Sequence, residues 1–277
     1  MPLPFETYRD RVFNSSAFFA ILTLEVKMKV KHLITILFFL IGCFYLTAEE
    51  LPFDSAVFDT TKGPLKITFI GHASLMINFD NKVIQIDPVS KIADYTKLPK
   101  ADLILITHHH GDHLDPIALE PLRTSTTRII CTTLCAPKLT DGEIIANGGH
   151  KEVFQIGIDA VPAYNIVHKR EDGTLFHVKG EGNGYILTFA NKRVYIGGDT
   201  ENIPEMKELK DIDVAFLPMN LPYTMTPEML VDAAKLFSPK ILYIYHFFPD
   251  KTDFPGLIAM FKDNKTTELR IPQPPKE

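Results

Sequence analysis

The sequence lacks a Lys/Arg-rich run in the body of the chain, and its 277 residues carry a formal net charge of −5. A protein that binds nucleic acid through the phosphates needs a basic surface, so nucleic acid is excluded as a partner. With 45% apolar residues, the chain can bury one sizeable core, and we expect one folded domain.

Cysteine is scarce, with three residues in the chain. Cys131 and Cys135 could form a disulfide in an oxidising compartment. Both, however, lie in or near the apolar, strand-like segment that begins at Ile129. We therefore expect two small buried residues.

A membrane-spanning helix needs about 20 apolar residues, and the run at 33–46 ends before Glu49. This run follows a short basic segment at 28–31, an order typical of a secretory signal peptide over 28–48. We interpret 1–27 as a start-site artefact. Residues 49–277 would then be the exported domain, periplasmic or otherwise extracytoplasmic.

Two cleavage routes are open for this signal peptide. The sequence before Glu49 ends in Leu-Thr-Ala and suits ordinary signal peptidase, whereas 40–43 resembles a lipobox that would leave a lipidated Cys43. We favour the first route, because apolar residues continue past Cys43. Membrane attachment is expected only if Cys43 is lipidated.

Short strands bounded by turn residues open the domain at 65–70, 74–79 and 83–86. The continuous apolar run at 101–107 predicts a strand covered on both faces, and a cluster of histidines follows it directly. A helix is then predicted over 116–122, capped by Asp115. The cluster therefore occupies a strand-to-helix loop, where α/β folds place their chemistry.

The second half of the chain repeats this arrangement. A hairpin at 185–189 and 193–196 leads to Asp199, and a strand at 240–245 ends at His246. Between them, Thr226 caps a predicted helix whose buried face consists of Leu230, Ala233, Ala234 and Phe237. The pattern predicts a layered α/β protein with candidate ligands at strand ends.

The cluster itself reads His-x-His-x-Asp-His and places four metal ligands within six residues: His108, His110, Asp112 and His113. Imidazole and carboxylate together suit zinc, iron or manganese. A tight loop can turn the first two toward one metal and the last two toward a second, with Gly111 providing the backbone freedom.

At this point the chain resembles the metallo-β-lactamase superfamily over about residues 65–248. The nearest resemblance is to the branch containing ascorbate-phosphate lactonase-like proteins and the phospholipase D that acts on N-acyl phosphatidylethanolamine. The residues that carry the resemblance are Gly71-His72-Ala73-Ser74, Ile86-Asp87-Pro88, the 108–115 cluster, Ala163-Tyr164-Asn165, Gly197-Gly198-Asp199-Thr200 and His246.

The resemblance implies a four-layer αββα sandwich that holds two divalent metal ions, zinc first, with manganese or iron as alternatives. It implies that Asp199 bridges the metals. His246 would complete the site of Asp112 and His113, and a middle histidine would complete the site of His108 and His110.

Two histidines, His168 and His177, lie between the cluster and Asp199 in the sequence, and either could be this middle histidine. His177 directly precedes the strand that starts near Gly184, as the corresponding ligand does in many superfamily members, and we prefer it. His168 stays open as the alternative. His72 and Asp87 are expected to orient ligands from behind, although each could equally belong to a capped turn.

Other candidates have weaker support. Lys169, Arg170 and Lys179 could hold an anionic group, but basic residues in loops are more often solvated. Tyr164, Tyr223 and Phe247 could wall a pocket, and core packing is at least as good an explanation for each.

The function implied is hydrolysis of an ester, lactone or phosphodiester by a hydroxide that two metals share, with Asp112 as the catalytic residue that orients it or accepts its proton. The substrate would be a small or lipid-like molecule. The alternatives are an iron-dependent redox enzyme on the same fold and a metal-binding protein without turnover.

Overall fold

The computed structural model describes residues 51–273. The start-site segment, the signal peptide and Cys43 lie outside the described residues, and their assignments stay predictions. Within 51–273, no helix combines the length and the apolar character needed to cross a membrane.

Two seven-stranded sheets form the body of the protein. The first sheet contains, in spatial order, β1 (Ser55–Thr60), β2 (Gly63–Gly71), β3 (Ser74–Phe79), β4 (Lys82–Ile86), β5 (Leu103–Leu105), β6 (Arg128–Cys131) and β7 (Gly142–Ile144). The second contains β8 (His150–Val153), β9 (Ile156–Ala163), β10 (Gly182–Phe189), β11 (Lys192–Ile196), β12 (Val214–Pro218), β13 (Ile241–Tyr245) and β14 (Glu268–Arg270), also in spatial order.

The sheets share one topology, as the repeated sequence pattern predicts. In each, the first three strand pairs are antiparallel and the last three are parallel. Asp102 and Asp213 mark equivalent positions before β5 and β12. Their carboxylates accept hydrogen bonds from Val83 N and Arg193 N, both at 2.9 Å. Parallel strands end at the same edge, so side chains that follow them meet there.

Within the described part of the chain, three α-helices connect the strands: α1 (Pro116–Leu122), α2 (Pro227–Phe237) and α3 (Phe254–Phe261). Each has an N-cap side chain that accepts a backbone hydrogen bond, from Asp115, Thr226 and Asp253 respectively. Short 3-10 helices lie at Tyr95–Lys97, Ala136–Lys138, Pro204–Glu208 and Pro249–Lys251. The predicted α1 and the predicted start of α2 are confirmed.

Apolar side chains from both sheets form a central core. Phe69 of β2 meets Phe216 of β12 with ring centroids 5.9 Å apart, and Phe79 of β3 meets Phe189 of β10 at 5.2 Å. A second core lies on the other face of the second sheet, where α2 and α3 pack. The predicted face of α2 is buried there: Leu230, Ala233, Ala234 and Phe237. The layered α/β sandwich expected from the sequence is therefore confirmed.

The apolar run after Lys100 forms a shorter strand than predicted, because β5 covers only Leu103–Leu105. Its neighbours still pair with adjacent strands: Asp102 N donates to Val83 O at 2.8 Å and Ile106 N to Ile130 O at 2.9 Å. The expected burial on both faces is confirmed, since residues 103–106 are fully buried. Cys131 and Cys135 are buried free thiols, as expected.

Candidate metal centre

The histidine-rich loop begins at His108, after Ile106 and Thr107 have followed the end of β5, and the chain reverses direction within it. The carbonyl oxygen of His110 accepts hydrogen bonds from His113 N at 3.1 Å and Leu114 N at 2.8 Å. Asp115 then fixes the end of the loop, because its carboxylate accepts from Ile117 N at 2.9 Å and Ser90 N at 2.8 Å. The reversal separates the first two ligand candidates of the loop from the last two.

The structure brings the predicted ligands together in two groups. One group consists of His108, His110 and His177, and the other of Asp112, His113 and His246 with His72; within each, the potential ligand atoms lie within 4.8 Å of one another. His108 Nε2 is 3.0 Å from His110 Nδ1. His113 Nε2 is 3.1 Å from His246 Nε2.

Asp199 lies between the two groups and reaches both. Its Oδ2 is 3.2 Å from Nε2 of His177 and 3.4 Å from Nε2 of His246. Its Oδ1 is 3.2 Å from Nε2 of His113. The side chain is only 4% exposed. The buried carboxylate therefore lies within reach of ligand candidates from both groups.

The backbone before Asp199 depends on glycine. Gly198 has φ of +64°, and a Cβ atom there would lie 2.7 Å from the carbonyl oxygen of Asn183. A side chain at this position would therefore be strained and would push the loop away from β10. Gly198 lets the chain turn sharply after β11 and direct Asp199 into the centre.

A buried carboxylate behind the centre fixes His113. Asp87 Oδ2 is 2.8 Å from His113 Nδ1 and also accepts from the hydroxyl of Thr107 at 2.6 Å. Asp87 Oδ1 accepts from Thr107 N at 2.8 Å. With Nδ1 held, the Nε2 atom of His113 faces Asp199, which is the supporting contact expected for Asp87.

Asn165 plays the same part for His177. Its Oδ1 accepts from His177 N at 2.9 Å and lies 2.6 Å from His177 Nδ1. The side-chain amide of Asn165 cannot rotate by half a turn without losing hydrogen bonds, because its Nδ2 donates to Glu201 Oε1 and to Tyr223 O, both at 2.9 Å. The Nε2 atom of His177 is therefore directed at Asp199.

His168 lies outside both groups. Its Nδ1 is 2.7 Å from Oε1 of Glu201, a fully buried carboxylate. Glu201 also accepts from the backbone N atoms of Ile166, Val167 and His168. His168 therefore contributes to the packing of this loop, whereas the ring of His177 lies in the group with His108 and His110.

His72 contacts the second group from the turn between β2 and β3. Its Nε2 lies 3.3 Å from Asp112 Oδ2, and its ring lies against the ring of His246 with centroids 3.8 Å apart and planes tilted by 41°. The backbone is tied as well, since His246 N donates to His72 O at 2.8 Å. His246 Nδ1 in turn lies 3.1 Å from the side-chain amide of Asn220.

The donor set fits divalent metal ions. His113 directs Nδ1 at Asp87 and His177 directs Nδ1 at Asn165, which leaves the Nε2 atom of each ring facing Asp199. A lone pair facing a carboxylate oxygen at 3.2 Å is repulsive unless a cation or a proton lies between them. Asp199 Oδ1 is moreover buried without a hydrogen bond, despite the nearby His113.

The pKa values of the buried groups shift in opposite directions within the centre. Burial lowers the pKa of His108 well below its ordinary value and that of His110 to about 4, so both rings are neutral near pH 7. Burial by itself also lowers the pKa of His113, but the charges of Asp199 and Asp87 raise it overall. Burial opposes ionisation of Asp199, yet His246 and His113 keep its pKa well below the usual range.

The centre opens into a cavity of about 440 Å³. Its walls beyond the ligand candidates are Arg170, Phe176, Asn220, Tyr223 and Phe248, with His72 and Gly111 at the edge. Of the aromatic residues proposed from the sequence, Tyr223 lines this cavity. Tyr164 instead donates its hydroxyl to Glu205 Oε2 at 2.9 Å, and Phe247 lines a separate apolar cavity.

No role is expected from the sequence for Asn165, Glu201 or Asn220, although the fold places all three behind histidines. Asn165 belongs to an element that carries the family resemblance, and this was the only available signal. Polar residues that act through a ligand have no characteristic spacing, because their partners are distant in sequence.

The fold and this His/Asp centre define a class: the metallo-β-lactamase superfamily, whose beta-lactamase superfamily domain matches residues 66–246. The chain is 33% identical over 196 residues to a UPF0173 metal-dependent hydrolase of Thermococcus kodakarensis, an alignment that spans 66% of this chain and 84% of the relative. The chain therefore belongs to the UPF0173 family of metal-dependent hydrolases.

Two solved structures support this assignment. A protein from Parabacteroides distasonis, named as a metal-dependent hydrolase, is 50% identical with a TM-score of 0.75, and the match covers 79% of this chain and 98% of that one. A metallo hydrolase of the archaeon Ignicoccus hospitalis is 28% identical with a TM-score of 0.63, covering 77% and 96%. The protein is thus similar to named metal-dependent hydrolases over nearly their whole length.

Proposed function

We propose that this metal-dependent hydrolase is binuclear, with zinc as the first choice of metal. The observation that carries the proposal is the position of Asp199, whose carboxylate reaches Nε2 of His177 on one side and Nε2 of His246 on the other. A carboxylate with two oxygens can bridge metals about 3.5–4 Å apart.

Each metal position would have its own ligands from this chain. His108, His110 and His177 would hold one ion, Asp112, His113 and His246 would hold the other, and Asp199 would serve both. When bound, such ions provide a nucleophile from water near neutral pH and stabilise negative charge on the oxygen that is attacked.

We assign Asp112 as the group that accepts the proton of the attacking water. Both Asp112 and Asp199 line the cavity, but the side chain of Asp112 is 52% exposed and that of Asp199 only 4%. A carboxylate at this position can orient the attacking water and accept its proton. His72 would keep Asp112 in place, since its Nε2 is 3.3 Å from Oδ2.

The substrate we propose is a small or lipid-like molecule with an ester, lactone or phosphodiester bond. The cavity volume of about 440 Å³ and its aromatic walls support a ligand of modest size. Both enzyme types that the sequence resembles, the lactonase-like proteins and the phospholipase D, stay candidates. We propose no nucleic-acid partner, on the basis of the acidic net charge.

We also propose that the domain is exported, on the basis of the signal-peptide pattern at 28–48. Attachment to a membrane would require lipidation of Cys43. Mass spectrometry of the processed chain would distinguish an N-terminus near Glu49 from a lipidated Cys43, and an unprocessed chain would contradict export.

The test combines metal analysis with hydrolysis. The purified domain should contain about two metal ions per chain, and it should hydrolyse members of a panel of esters, lactones and phosphodiesters. Chelation should abolish turnover, and metal add-back should restore it. Metal without turnover on any panel member would favour a binding role or redox chemistry, and a folded protein that binds no metal would refute the proposal.

A further inference from the structure

Arg170 lies on a short two-stranded projection beside the cavity of the metal centre. Lys169 pairs with Leu175 across this projection, and Arg170 N donates to Thr174 O at 2.7 Å. Gly173 forms the turn, with φ of +85°. The pairing sets the backbone, so the arginine side chain leaves the projection in a defined direction.

The guanidinium group is also held in place. Its central carbon lies 5.0 Å from the centroid of the Phe176 ring, and Nη2 donates to Phe176 O at 3.1 Å. Phe176 itself packs edge-on against Tyr223, with ring centroids 5.0 Å apart. A guanidinium held by a ring contact and a hydrogen bond loses little conformational freedom on binding a ligand.

Arg170 is the one Lys or Arg among the residues that line the cavity of the metal centre. No carboxylate among residues 51–273 lies within 4.0 Å of its nitrogen atoms. The other two basic candidates differ. Lys179 is paired with Glu205 at 2.6 Å, and Lys169 lines only an outer depression.

We propose that Arg170 binds an anionic group of the substrate, a carboxylate or a phosphate, next to the bond that is hydrolysed. This proposal rests on the proposed function and narrows it to substrates with an anionic group close to the scissile bond. A guanidinium fork matches the two oxygens of a carboxylate or phosphate. Arg170 is a specificity-determining residue in this scheme.

The experiment compares two probes that differ in one charge: butyrate, with one carboxylate, and glutarate, with two. Calorimetric titrations are made on zinc-loaded and on metal-free protein, for the wild type, Arg170→Gln and Lys169→Gln. Lys169→Gln is the matched control, since it removes the same charge one residue away. We expect Arg170→Gln to weaken glutarate binding about tenfold and to leave butyrate binding unchanged.

Lys169→Gln should leave both affinities as in the wild type. Equal glutarate affinity in Arg170→Gln and the wild type overturns the proposal, as does an equal loss in both variants, which would indicate general surface charge. Absence of glutarate binding by the wild type overturns it too. The metal content of each sample is measured first. Folded protein that takes up no zinc would contradict the proposed function, whereas protein that binds zinc but not glutarate would contradict the role of Arg170.

Discussion

His168 and His177 show how single residues are selected for the centre. Both carry a ring whose Nδ1 is held by a side-chain oxygen, Glu201 Oε1 for His168 and Asn165 Oδ1 for His177. Only His177 has its other nitrogen next to Asp199. Their chemistry is the same, so the position of the backbone decides between them.

A pair of substitutions tests this difference. His177→Ala should lower the bound metal from about two ions to about one per chain, because the first metal position would lose one of its three histidines. His168→Ala should keep the metal and reduce stability by about 1 kcal/mol, the cost of one hydrogen bond to a buried acceptor. Elemental analysis and urea unfolding give the two readings.

The opposite pattern, with metal lost in His168→Ala and kept in His177→Ala, would refute the assignment. Glu201 keeps the hydrogen bonds from Asn165 and from three backbone amides in His168→Ala. That variant is therefore expected to fold and to serve as a fair comparison.

At the scale of elements, the repeated feature is a carboxylate that joins the starts of two neighbouring parallel strands. Asp213 stands before β12, accepts from Arg193 N at 2.9 Å and pairs with Lys240 at 2.7 Å, just before β13. Asp102 makes the corresponding contact with Val83 N and pairs with Lys82, the counterpart of Lys192, which lies 3.7 Å from Asp213. Each carboxylate fixes the strands whose far ends carry the ligands.

The pKa of Asp213 gives a pH-dependent prediction. Burial alone would raise this pKa, but the hydrogen bonds from Lys240 and from the Arg193 amide lower it overall. A lowered carboxyl pKa contributes stability that is present above the unfolded-state value near 4 and is lost as the pH falls through the folded-state value. Asp213→Asn should therefore destabilise the protein at pH 7 by about 1 kcal/mol, and the difference should shrink as the pH falls below the unfolded-state value.

Urea unfolding at a series of pH values measures this difference. The energy is modest because Lys240 is 72% exposed and solvent screens the pair. Asp232→Asn is the control, since Asp232 lies on the exposed side of α2 and, among residues 51–273, pairs with Lys235 alone. A loss for Asp213→Asn that stayed constant with pH would contradict an ionised carboxylate in this role.

At the scale of the whole molecule, the centre lies apart from the two apolar cores. The cores hold the sheets and the helices together, whereas the centre gathers histidines and carboxylates where the parallel strands end. Burying these groups together costs free energy unless cations satisfy them. Metal should therefore stabilise the fold without being needed to form it.

Removal of metal checks this expectation. Chelation should lower the midpoint of thermal unfolding, and saturating metal at about 100 times its Kd should restore about 3 kcal/mol. The far-ultraviolet circular dichroism spectrum at 25 °C should stay the same, since both cores are intact. Unfolding curves that coincide with and without metal would show that the centre does not bind it in the native state.

The sequence by itself determined much of this protein. Alternation, caps and turn residues place most strands and two helices, because these signals act over a few residues. The four loop candidates between His108 and His113 are also visible in the sequence, since a metal site formed by one loop has a fixed spacing. The repeated pattern in the two halves further predicted the layered fold.

Only the tertiary structure decided which distant residues meet. It placed His177 rather than His168 beside Asp199, and it put Asn165 behind His177. It also separated Arg170, which lines the cavity, from Lys169, which does not. Local sequence patterns carry no information on such contacts, because the distance between two side chains far apart in the chain is set by the packing of the sheets.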